Sequence, residues 1–202
     1  MMQQKHDENL WFIVLSMVFF AVLQLFQNIL MYQYDLFWTQ PWRWWTAHWV
    51  HVGWIHYGLN VLALACLPFL FPNIQQKILI ALLVILPPLL SFCFYLFYPQ
   101  IFAYAGLSGV LHGLFIFCAI VSLQQPQERK FALLVLLLVL GKIAWEFYFG
   151  ALQTEQLIGH PVLTQAHLLG VIFGSLCAIL SRVLHMDVIK HNQHRNALKL
   201  KN

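Results

Sequence analysis

Six apolar stretches, each roughly 17 to 25 residues long, dominate this chain of 202 residues. They run over about 10–31, 53–71, 77–97, 106–124, 131–150 and 164–184. As a helix, such a stretch crosses about 30 Å of hydrocarbon, and a backbone surrounded by lipid must satisfy its own hydrogen bonds. The expected fold is therefore an all-α membrane protein, a single domain over 1–202 built as a bundle of six transmembrane helices. Composition agrees, because 61% hydrophobic and 9% charged residues leave too little polar surface for a soluble domain of this size.

The first stretch follows Lys5, Asp7 and Glu8, lacks a small-residue cleavage site and exceeds a signal-peptide core, so it reads as a retained span. Six spans place both termini on one side. That side collects Lys5, Lys77, Arg129, Lys130, Arg182, Lys190, Arg195, Lys199 and Lys201, nine of the eleven basic residues. The opposite side has Arg43, and Lys142 lies inside the fifth span. By the positive-inside rule both termini are expected to be cytoplasmic. A basic tail over about 185–202, with His185, His191 and His194, then reads as a solvated or lipid-contacting segment rather than a metal site. The net charge of +4 follows from membrane orientation, not from nucleic-acid binding. Cys66, Cys93, Cys118 and Cys177 all fall in spans, where a thiol packs as a small apolar group, and no Cys-x-x-Cys pair suggests a metal.

Proline marks the connections. Pro72 and Pro126 fall in cytoplasmic turns and Pro99 and Pro161 in outer ones, while Pro87-Pro88 must bend or interrupt the third span. The longest connection, about Tyr32 to Val52, contains Pro41-Trp42-Arg43-Trp44-Trp45, whose tryptophans suit the boundary between water and lipid. Gln24, Gln27 and Asn28 near the outer end of the first span are expected to hydrogen-bond within the bundle or to this loop.

The topology makes a test that local motifs cannot. The second, fourth and sixth spans all enter from the outer side, so His56, Asn60, Ser108 and His167 lie within about two turns, roughly 10 Å, of one surface. His56 and Asn60 are four residues apart and share a helix face. Gly106 and Gly109 flank Ser108 and permit an unusual backbone turn and the close approach of a substrate carbonyl. Gly170 and Gly174, one turn apart below His167, allow the sixth helix to pack closely on a partner. If that partner is the fourth helix, His167 meets Ser108. A serine hydroxyl is a weak nucleophile until a base takes its proton, and a neutral imidazole suits that task. The oxyanion donors would come from the amides of Leu107 and Ser108, the Asn60 amide and the His56 ring. Taken one at a time, these groups read as helix-packing residues. Four polar groups in one leaflet, at about 1 to 3 kcal/mol each, ask for a function that offsets their cost.

These residues resemble the rhomboid intramembrane serine proteases. The likeness rests on Trp42-Arg43 and Thr46, His51 followed by His56-Tyr57-Gly58-Leu59-Asn60, Gly106-Leu107-Ser108-Gly109, and Ala166-His167 with Gly170 and Gly174. The resemblance implies the six-helix rhomboid fold, Ser108 as nucleophile, His167 as base, and His56 with Asn60 at the oxyanion. It also implies no cofactor, and single-span membrane proteins as substrates. Where many rhomboids carry a tyrosine one turn after the serine, this chain has His112. Arg43 and its tryptophans are expected to brace the first loop at the lipid surface.

Ser108-Gly109-Val110-Leu111-His112-Gly113, Lys142 with Trp145-Glu146, and Pro161-Val162 before Ala166-His167 look like the rhombosortase branch. That branch implies a bacterial inner-membrane enzyme facing the periplasm, acting on proteins with a carboxy-terminal Gly-Gly anchor segment. Glycine lowers helix stability by about 1 kcal/mol relative to alanine, so such a site is already loosened for cleavage. Lys142 and Glu146, at i and i+4, are expected to form a mutual ion pair and, on the helix bordering the substrate route in rhomboids, to tune gating. Three rival readings use the same residues: a rhomboid-like protein that binds membrane clients without cutting them, a haem cytochrome with axial ligands from His56, His112 and His167, and a proton-coupled carrier.

Overall fold

The structure is a computed structural model that describes residues 2–151, 154–184, 186 and 188–189, with side chains from Asn9 onward except Thr154. Most of the expected basic tail, including His185, His191 and His194, lies outside the described residues, as do the side chains of Lys5, Asp7 and Glu8. Among the described residues, six helices have fifteen residues or more: α1 (Met2–Gln24), α2 (Trp54–Leu70), α3 (Gln76–Phe97), α4 (Ser108–Ser122), α5 (Arg129–Phe149) and α6 (Thr164–Val183). Of these, α3, α5 and α6 are long and apolar enough to cross a membrane, while Asn9–Gln24, α2 and α4 are shorter apolar helices. Leucine, phenylalanine and tryptophan side chains lie exposed along α1 and α5, as a lipid-facing surface requires.

Two helices differ from the expected stretches. Helix α1 begins at Met2, well before the apolar stretch, because polar Gln and Lys are good helix formers and need no apolar partner. It stops at Gln24, whose side chain is taken up by the loop: its amide donates to the His51 carbonyl and its oxygen accepts from the His51 amide, both at 2.7 Å. Helix α4 begins only at Ser108. At fifteen residues it rises about 22 Å, less than the hydrocarbon thickness.

Helix α4 is the centre of the bundle. It packs most extensively on α6 and touches α2, α3 and α5 as well, and Val110, Leu114 and Cys118 are fully enclosed. The α4–α6 crossing is made by four glycines. A Cβ on Gly170 would lie 1.9 Å from the Gly109 carbonyl oxygen, and one on Gly174 would lie 2.2 Å from that of Gly113. The two backbones are in contact, which only a residue without a side chain permits.

The connection between α1 and α2 is folded. It contains strand β1 (Tyr32–Gln33), paired antiparallel with β2 (Ala103–Tyr104), and a short helix at Arg43–Thr46 that packs on α3. The proline pair of α3 explains part of this docking. Pro87 and Pro88 have no N–H to give the carbonyls of Leu83 and Val84. The indole N–H of Trp49 donates to Leu83 O at 3.2 Å, and that of Trp45 to Val84 O at 2.9 Å. Each freed carbonyl is met by a loop tryptophan. Ser91 extends the same seam, donating to Trp44 O at 3.0 Å and accepting from His48 Nε2 at 3.0 Å.

Candidate active site

The segment before Ser108 is fixed from several directions. The Gly106 amide donates to Ala47 O at 2.9 Å, and the Tyr104 hydroxyl donates to Gly106 O at 2.6 Å. Leu107 is fully buried. The amides of Leu107 and Ser108 sit at the entrance to α4, where a helix leaves its N–H groups without intrahelical acceptors. The helix dipole adds positive potential there.

Ser108 Oγ lies 2.9 Å from His167 Nε2. On the other side of the ring, Nδ1 lies 2.8 Å from Glu146 Oε2 and 3.0 Å from Oε1. An ionised carboxylate only accepts, so Nδ1 carries the proton and the neutral ring leaves Nε2 bare. The Ser108 hydroxyl then donates to Nε2, the arrangement a general base requires. His112 completes the enclosure: its ring stacks on that of His167 at 4.1 Å between centroids with a 19° tilt, and its Nδ1 donates to Ser108 O at 2.7 Å.

Lys142 and Glu146 form the expected ion pair, with Nζ 2.5 Å from Oε1. Glu146 also turns inward to His167, a contact the sequence reading missed. Lys142 Nζ lies 3.3 Å from His167 Nδ1, but both are donors, so the carboxylate is the acceptor they share. One signal pointed to Glu146: it is the single acidic residue in the six apolar stretches.

His56 and Asn60 approach Ser108 from different sides. His56 lines a cavity of about 310 Å³ together with Ser108, Tyr104 and His160, and its Nδ1 is buried without a partner. Asn60 lines a second, mainly apolar cavity of about 510 Å³ with Ser108, His112 and Lys142, between α2, α4 and α5. Its Nδ2 donates to His56 O at 2.9 Å, which leaves one amide proton for another acceptor. His51 stands edge-on to His56 at 5.2 Å. In the first loop, burial pushes His48 down to about 3, and burial together with His56 does the same to His51.

One expectation is corrected. Gly106 and Gly109 do not adopt a left-handed backbone, since positive φ occurs among the described glycines only at Gly150 (78°) and Gly159 (73°). Gly106 makes room for His56, whose Cε1 would lie 2.8 Å from an added Cβ, and Gly109 packs on the Ala166 carbonyl at the same distance. Both serve the packing that assembles the site. Arg43 is buried within the first loop. It is 5% exposed and braces the loop from within, donating through Nε to Gln40 Oε1 at 2.6 Å and through Nη1 to Met31 O.

A Rhomboid domain family model matches residues 38–183, most of the chain. The chain belongs to the rhomboid family. No curated protein matches it. Rhomboids are intramembrane serine proteases acting on membrane-protein substrates, and the matched region of this rhomboid contains every residue of the constellation around Ser108. Among its described residues no three His, Cys, Asp or Glu side chains converge on a metal-sized site. The stacked rings of His112 and His167 also leave no space for a porphyrin between them, so this pair cannot hold a haem from opposite faces.

Proposed function

We propose that this rhomboid is an active intramembrane serine endopeptidase in which Ser108 is the nucleophile and His167 the general base. The observation that carries the reading is the 2.9 Å hydrogen bond between Ser108 Oγ and a His167 Nε2 left bare by its tautomer. In attack, Oγ bonds to the scissile carbonyl carbon, its proton passes to Nε2, and the carbonyl electron pair moves to oxygen. Collapse breaks the C–N bond, and Nε2–H protonates the departing amine. Water then repeats the sequence on the acyl-enzyme. His56, the free proton of Asn60 and the amides of Leu107 and Ser108 surround the place of the oxyanion.

The two cavities that meet at Ser108 suit an extended peptide. The apolar one between α2, α4 and α5 would receive the membrane-embedded side of a single-span substrate. The more polar one would receive the portion nearer water. A Gly-Gly site fits this geometry, because the peptide must unwind to reach Ser108 and two glycines lower the cost. The substrate class is thus a protein with a glycine-rich carboxy-terminal anchor, as in rhombosortases. Six crossings would place both termini in the cytoplasm and the site toward the periplasm of a bacterial inner membrane, in line with the distribution of basic residues.

The test is labelling of the full chain in membranes with a fluorophosphonate, alongside cleavage of a Gly-Gly-anchored reporter. The parent is expected to label and to cut, and Ser108→Ala and His167→Ala to do neither while remaining folded. A parent that takes no label would instead favour a client-binding rhomboid without activity.

A further inference from the structure

Helix α5 leaves most of its side chains exposed, with only Ala132, Val135 and Glu146 buried. An acidic residue turned inward from such a helix needs a reason, since an ionised carboxylate in a bilayer is costly unless paired. Glu146 has two partners. Lys142 neutralises its charge from one turn away, and the other oxygen accepts from His167 Nδ1 at 2.8 Å. We infer that Glu146 is a positioning residue that converts the Ser108–His167 pair into a Ser-His-Glu arrangement, with Lys142 as the counter-ion that keeps the carboxylate ionised. This rests on the protease reading above and assigns α5 a part in the chemistry, beyond the gating expected of its Lys142–Glu146 pair.

Three physical consequences follow. Glu146 selects the His167 tautomer, because a carboxylate can take a hydrogen bond only from a protonated Nδ1. It fixes the ring's rotation together with the stacked His112, which holds the face while Glu146 holds the edge. It also lies against the imidazolium that forms when Ser108 gives up its proton, a charge that Lys142, 3.3 Å from the same nitrogen, would otherwise oppose. A glutamine here has an amide that can donate to Nδ1, which would move the ring proton to Nε2 and leave Ser108 without a base.

The experiment compares the parent, Glu146→Gln, Glu146→Asp and the double variant Lys142→Met/Glu146→Gln, as full chains in membranes. Fluorophosphonate labelling rate and reporter turnover are measured with Ser108→Ala as the blank. The expected result is a labelling rate reduced about 100-fold or more in Glu146→Gln, with reporter KM within about threefold of the parent. Glu146→Asp is expected to recover at least about tenfold of that loss, which a purely structural role would not give. The double variant removes both charges together, and it is expected to fold and to be as slow as Glu146→Gln, so a folding defect in the single variant does not end the test. Labelling of a folded Gln variant within about threefold of the parent would overturn the inference and leave the protease reading standing. A parent that fails to label removes both.

Discussion

Helices α4 and α6 meet backbone against backbone through Gly109, Gly113, Gly170 and Gly174, whereas α5, most of whose side chains are exposed, reaches His167 through one buried carboxylate. The seam holds Ser108 and His167 at close range, because the two backbones approach so nearly that a Cβ at Gly170 or Gly174 would overlap the carbonyl oxygen of Gly109 or Gly113. Helix α5 has no such constraint. Its leucines exchange one apolar neighbour for another when it moves, and its hold on the site is polar. Geometry between Ser108 and His167 is thus set by close packing, and orientation of the imidazole by a side chain from a third helix.

Changes in the seam are expected to cost most. Gly170→Ala places a methyl carbon at the Gly109 carbonyl oxygen, and a destabilisation above about 3 kcal/mol is expected, with loss of fluorophosphonate labelling. Thermal unfolding in detergent measures it, and near-parental stability would show that the seam yields and the comparison is wrong.

Acid probes a region outside both. His48 and His51 are held neutral in the first loop near 3, against an ordinary 6.5, so an unfolded chain binds protons that the folded loop refuses. Stability is fully present above about 6.5 and is lost progressively as pH falls toward about 3. His48→Gln should flatten that decline in a pH series of unfolding midpoints.

Smaller effects belong to α5. Lys142→Met leaves the Glu146 carboxylate with His167 alone, and because the lysine side chain is about one-third exposed the expected cost is only about 1 to 2 kcal/mol. Leu137→Ala, on the lipid face of the same helix, should lie within about 0.5 kcal/mol of the parent. If Leu137→Ala matched Lys142→Met, α5 would be held by apolar packing after all.

The distribution of these effects tracks what could be read in advance. Helix positions followed from hydropathy, since lipid demands apolar runs of a fixed length. The meeting of Ser108 with the His167 helix followed from two further constraints, alternating topology and glycines spaced at one turn. Glu146 escaped because α5 is apolar on every face, so its sequence carries no phase to say which residues point inward, and Lys142 four residues away gave a sufficient local partner. The pairing of Trp45 and Trp49 with the carbonyls freed by Pro87 and Pro88 escaped for a related reason. A proline announces an unpaired acceptor, but the donor that meets it lies about forty residues away and only the folded loop selects it.

The amino-acid sequence alone pointed to a bundle of apolar helices and to Ser108 and His167 as neighbours near the ends of two of them, because each of these follows from local composition and chain direction. Tertiary structure alone decided the rotation of α5, the tautomer of His167 and the inward use of Gly106, Gly109 and Arg43. Those depend on which surfaces touch, and between helices whose faces are all apolar, contact is settled by shape and by the few polar groups that must find one another.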